Sequence, residues 1–175
     1  EYLRGEVGKA DDIGGGPAFR DFLVGKLRPH IEARFDVDAS QSLLAGHSLG
    51  GLFVLNTMLE APGAFHNLLA VSPSLWFADR ALLRRLQEAL EKSFIVPGNV
   101  AVYVGEREER IARPYSRMTS NVLDLGRIVA EHRSSFSRVT VSVLPGQSHH
   151  SIVAPAASLG LRFLLSPEEK RAETY

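Results

Sequence analysis

A parallel, doubly wound α/β sheet is the fold class that the 175-residue chain predicts, and three observations carry it. Short apolar runs of strand length alternate with longer stretches of helical periodicity, four times over. Each connection is long enough for a crossover between parallel strands. The first strand runs into Gly46-His47-Ser48-Leu49-Gly50, a G-x-S-x-G, and an apolar helix follows at once.

Residues 1–17 are polar and glycine-rich and read as loop, with Gly14-Gly15-Gly16-Pro17 the strongest loop signal. The triple glycine lacks the Lys-Ser/Thr that follows it in a phosphate-binding P-loop. Phe19, Phe22, Leu23, Leu27, Ile31 and Phe35 recur at helical spacing, which predicts an amphipathic helix over 18–35, kinked or ended at Pro29. The apolar run 42–46 is the first strand, and the helix after it runs to Glu60, where Ala61-Pro62-Gly63 stops it. The second strand is 68–72. Asp79 is expected to cap the next helix, whose apolar face is Leu82, Leu83, Leu86 and Leu90. The third strand is 100–104, flanked by Pro97-Gly98-Asn99 and Gly105, and a helix over 114–132 follows. The fourth, 139–144, alternates Val-Thr-Val-Ser-Val as a sheet margin does. A closing helix covers 154–165, and 166–175 reads as a charged tail that frays. All of 1–175 is read as one domain.

Composition narrows the function classes. Hydrophobic content of 45% and charged content of 23% are ordinary for a globular protein. With a net charge of zero, nothing points to nucleic acid or to an anionic membrane surface. No apolar run is long enough to span a bilayer. The absence of cysteine removes disulfides, thiolate zinc sites and a cysteine nucleophile together, and suits cytosol and cell exterior alike. No His/Asp/Glu set has metal-ligand spacing, so neither metal nor cofactor is expected.

The chemistry is read outward from Ser48. A strand–turn–helix elbow lifts its central side chain above the sheet, near the positive end of the following helix. A serine hydroxyl needs a base, and histidine suits the task because its unperturbed pKa is about 6.5. A carboxylate then fixes the imidazole tautomer. These groups are expected in the order Ser, Asp/Glu, His, on loops at the C-terminal ends of strands. Of the six histidines, His149 and, as reserve, His150 follow the last strand. His30, His66 and His132 lie on a helix or at element ends, and His47 adjoins the nucleophile. The carboxylate is sought in Glu106, Glu108 and Glu109 after the third strand, with Glu108 favoured; the bland alternative is a solvated loop matched by Arg107, Arg110 and Arg113. The Leu49 N–H is one expected oxyanion donor, and no second donor is visible before Ser42. Trp76 and Phe77, with His47, are candidates for the wall of an apolar substrate pocket; packing in the core is the competing role for Trp76.

Several segments taken together resemble the esterase D-like group of α/β-hydrolases. They are Gly14-Gly15-Gly16 with Phe19-Arg20-Asp21-Phe22-Leu23, the run Leu44 to Phe53, and Ser72-Pro73-Ser74-Leu75-Trp76. Gly105-Glu106-Arg107-Glu108, Gly146-Gln147-Ser148-His149 and Gly160-Leu161-Arg162-Phe163-Leu164 complete the set. Within the group the chain looks most like the branch of siderophore trilactone esterases of the enterobactin and salmochelin type. The resemblance implies an α/β-hydrolase-type, mostly parallel sheet that lacks its N-terminal strands here, with the second oxyanion donor among them. It implies Ser48 as nucleophile, His149 as base and Glu108 as acid, although some siderophore esterases resemble a Ser–His dyad. The expected activity is cleavage of a small-molecule carboxylic ester through an acyl-enzyme. An acyltransferase of the same fold and a non-catalytic binding module are the alternatives.

Overall fold

The computed structural model describes residues 14–109 and 116–166. The chain divides into two compact units, Glu1–Ser40 and Gln41–Tyr175.

In the first unit, helix α1 (Gly16–Phe22) passes through a wide π turn (Leu23–Leu27) into α2 (Arg28–Glu32). The helix expected over 18–35 is therefore 16–32, and Pro29 does not end it. Proline has no N–H to return to the preceding turn. Just before it the turn widens, and the Arg28 N–H donates to the Leu23 carbonyl five residues back. Phe19 and Phe22 stack with ring centroids 6.4 Å apart, and Arg28 pairs with Glu32 one turn on at 2.6 Å.

The second unit is a four-stranded parallel sheet in the order β1 (Leu43–His47), β2 (Asn67–Val71), β3 (Val96–Gly105) and β4 (Phe136–Leu144). Helices α3 (Leu49–Glu60), α4 (Phe77–Glu91) and α5 (Met118–Glu131) connect them, and α6 (Val153–Leu165) closes the chain. Because the strands are laid down in sequence order, crossovers of one hand place α3, α4 and α5 on the same face. Strand alternation then sorts the core. Leu68, Ala70, Val100, Val102 and Val104 meet Leu52, Leu55, Leu83, Leu86, Val122 and Leu125 of those helices. Leu69, Val71, Ala101 and Tyr103 face Ile152, Ala156 and Leu164 at α6. Helices thus cover both faces. α6 lies close because Gly160 has no side chain: a Cβ there would stand 2.6 Å from a Leu69 methyl.

Four local expectations are corrected. β3 begins at Val96, running through Pro97-Gly98 as a bulge; proline cannot join the ladder, and Gly98 takes φ +86°. β4 begins at Phe136, and its half-exposed side chains fit an edge position. α5 begins at Met118; Pro114 lies outside the described residues, as do the first thirteen and the tail after Ser166. Asp79 does not cap α4. Ala78, Asp79 and Arg80 form a left-handed turn, and the Asp79 carboxylate instead accepts from Arg84 at 3.2 Å.

Candidate active site

Parallel strands end at one edge, so the segments leaving β1, β2, β3 and β4 converge there. The elbow is the tightest of them. Ser48 takes φ 58° and ψ −118°, a backbone region that costs a non-glycine residue about 1–3 kcal/mol. Three hydrogen bonds hold it. Its N–H donates to the Val71 carbonyl at 2.9 Å, and its carbonyl accepts from Leu52 at 3.0 Å and from Ser74 at 3.1 Å. The flanking glycines are spatial requirements. A Cβ at Gly46 would collide with the Gly50 backbone, and one at Gly51 would lie 3.0 Å from the Pro73 Cα.

The geometry selects among the sequence candidates. Ser48 Oγ lies 3.1 Å from His149 Nε2, and His149 Nδ1 lies 2.7 Å from Glu108 Oε2. A carboxylate only accepts, so Nδ1 carries the proton and Nε2 is free to receive that of Ser48. His150 stands edge-on to His149, ring centroids 5.6 Å apart.

The three glutamates take three different tasks. Glu108 is fully buried, and its Oε1 accepts from Ser72 Oγ at 2.6 Å and the Gly105 N–H at 2.7 Å. Burial, the largest single influence, pushes its carboxyl pKa up; hydrogen bonds from His149, Ser72 and Gly105 outweigh it and hold the group below the usual carboxylate range. Glu106 accepts from the Gly146 N–H at 2.8 Å. Glu109 accepts from the Ser120 N–H and hydroxyl, at 2.9 and 2.6 Å, at the start of α5. Gly105 has to be glycine, because a Cβ would strike the Gln147 carbonyl and stand 2.8 Å from Glu108 Oε1.

Leu49 opens α3, where a backbone N–H has no acceptor within the helix. His47 points across the site. Its Nε2–H donates to the His149 carbonyl at 2.8 Å, with the two rings 4.4 Å apart. Trp76 and Phe77 are partly buried and pack against the α3–α5 core, their rings 6.3 Å apart. Sequence reasoning passed over Ser72 and Ser74. Ser72, at φ 44°, directs its hydroxyl to Glu108, and the buried Ser74 Oγ stands 3.4 Å from Ser48 Oγ. Their position just after β2, at the same edge, was the available signal. Among the described residues, no group of three or more His, Asp or Glu side chains could hold a metal ion. Nor is any described helix long and apolar enough to cross a membrane.

Residues 5–136 match a family model described as "Putative esterase". The chain is 32% identical over 157 residues to the ferri-bacillibactin esterase BesA of Bacillus subtilis, covering 89% of this chain and 53% of that protein. It is 27% identical to a siderophore enterobactin esterase of Emericella nidulans, covering 89% and 58% respectively. Among solved structures, the siderophore hydrolase EstB from Aspergillus nidulans superposes with a TM-score of 0.76 at 26% identity, over 86% of this chain and 58% of that one. The BES protein from Bacillus cereus gives a TM-score of 0.70 at 30% identity, over 86% and 55%. The chain thus spans somewhat over half the length of these relatives.

Proposed function

Because the chain belongs to this esterase family, we propose that it is a serine carboxylic-ester hydrolase working through an acyl-enzyme. The observation that supports this best is the relay Ser48–His149–Glu108, with both hydrogen bonds within reach of proton transfer at 3.1 and 2.7 Å. In this reading Ser48 Oγ attacks the ester carbonyl carbon while His149 Nε2 takes its proton. The carbonyl oxygen becomes an oxyanion, which the Leu49 N–H and the positive end of α3 stabilise. On collapse the carbon–oxygen bond of the ester breaks, and His149 returns its proton to the departing alcohol. A water, deprotonated by the same Nε2, then attacks the acyl carbon; the acyl–Ser48 bond breaks, His149 returns the proton to Ser48 Oγ, and the acid is released. Glu108 keeps the imidazole in the working tautomer and stabilises the imidazolium formed in each half-reaction. Trp76 and Phe77, two and three residues beyond Ser74, form an apolar wall for the acyl group.

For substrate we propose siderophore-type esters and lactones, which the names of the relatives BesA and enterobactin esterase suggest. Intact mass after treatment with a fluorophosphonate probe, with peptide mapping, tests the nucleophile. A single adduct on Ser48 that is absent from Ser48→Ala supports it; an adduct elsewhere, or none, overturns it. Product analysis with a trilactone siderophore tests the substrate class separately. Linear products support that class, while a labelled enzyme that leaves the trilactone intact removes it and leaves the serine hydrolase.

A further inference from the structure

The base of the proposed mechanism sits on a loop, and a loop backbone has no ladder of its own to hold it. The backbone of residues 145–151 makes three hydrogen bonds to residues distant in sequence. Glu106 accepts from the Gly146 N–H at 2.8 Å, and the Arg107 N–H donates to the Gln147 carbonyl at 3.0 Å. Both anchors come from the end of β3. The third is different. His47, the last residue of β1, donates to the carbonyl of His149 itself at 2.8 Å.

We propose that His47 is a positioning residue for His149: its imidazole ties the backbone of the base to the strand that delivers the nucleophile. The proposal rests on the reading of His149 as the base. Ser48 follows His47 directly, so the 3.1 Å separation of Ser48 Oγ from His149 Nε2 is set from one rigid point. Without that tie the ring is located relative to Glu108 and β3, and its distance to Ser48 depends on how β1 and β3 sit across the intervening β2. Displacement of a reacting group by about 1 Å can cost on the order of 10²-fold in rate.

The chemistry of the contact fits a fixed donor. A carbonyl oxygen only accepts, so the proton lies on His47 Nε2. Burial, and then the neighbouring His149, holds the His47 pKa below the usual histidine value. A neutral ring with one proton makes this bond and leaves Nδ1 bare. His47 therefore acts through His149, and the pocket-wall task first considered for it is not needed to explain its placement.

Two variants and one spectrum test this. His47→Phe keeps a ring of similar size and loses the donor, while His47→Gln keeps an N–H donor on a comparable stem. With a p-nitrophenyl ester, the phenylalanine variant is expected to lose about 10- to 100-fold in kcat with KM within about twofold. Glutamine should recover most of the loss. Wild-type kcat in His47→Phe, or a glutamine variant as slow as phenylalanine, would overturn the proposal. Imidazole ¹⁵N spectra of the unmodified chain at neutral pH read the clamp without any turnover. Protonated Nε2 with bare Nδ1 at His47, together with a His149 carbonyl ¹³C shift that moves in His47→Phe, supports it. The opposite tautomer refutes it even if the chain is an active esterase. An inactive chain with the expected tautomer and carbonyl shift leaves the clamp in place and removes the esterase reading.

Discussion

Glu108→Gln is the most informative single change, because the hydrogen bonds dictate what the amide can do. Glu108 Oε1 already accepts two donors, and Oε2 accepts a third from His149. The new amide has two orientations. If its NH₂ faces Gly105, two N–H groups meet in a buried site, and each unsatisfied donor costs about 1–3 kcal/mol. If its oxygen stays with Gly105 and Ser72, its NH₂ faces His149 Nδ1, which must then give up its proton. The imidazole switches to the Nε2–H form and cannot accept from Ser48. The second orientation preserves the fold and disables the base. The corresponding amide substitution in a Ser-His-Asp triad costs about 10⁴-fold in kcat. We expect a loss of about 10³–10⁴-fold here, or roughly 4–5 kcal/mol of barrier. Steady-state hydrolysis of a p-nitrophenyl ester measures it, with KM little changed and thermal melting confirming a folded variant. Activity within threefold of the parent in a folded variant would refute the reasoning and leave a Ser48–His149 dyad.

Three further outcomes are expected. Glu106→Gln should retain activity within about threefold, because an amide oxygen still accepts from the Gly146 N–H; a loss matching that of Glu108→Gln in the same assay would move the acid to Glu106. Gly46→Ala should cost about 1–3 kcal/mol in urea unfolding, since its methyl meets the Gly50 backbone, and an unchanged midpoint would contradict that crowding. Stability should also fall on acidification in two windows. The His47 contribution is complete above the unfolded value of 6.5 and fades as pH drops towards its lowered folded pKa, because the unfolded chain binds the proton more readily there. The Glu108 contribution is complete above 4.5 and is lost only as pH falls through its own depressed folded pKa. Melting curves of the parent, His47→Phe and Glu108→Gln from pH 7.5 to 3 read both, and parallel curves for all three would contradict the assignments.

Element types were legible in the sequence because they depend on neighbours two to four positions apart. The alternation of strand and helix, the elbow at Ser48 and the edge character of β4 all follow from such spacing. Even local reading failed where backbone chemistry has two outcomes. Pro29 stays within the helix through a π turn, and Pro97-Gly98 enters a strand as a bulge. The site was legible only as a set of candidates. Its hydrogen bonds join residues 41, 101 and 102 positions apart, and no local pattern reports which atoms such closure brings within hydrogen-bonding distance. Sequence order thus nominated Ser48, His149 with His150 in reserve, and Glu108 as the favoured one of three glutamates. Tertiary structure separated Glu108 from Glu106 and Glu109, because the three neighbouring carboxylates diverge to the His149 ring, a loop amide and a helix start. It also turned His47 towards the His149 carbonyl and gave Ser72 to Glu108, since buried polar atoms must find partners wherever the chain brings them.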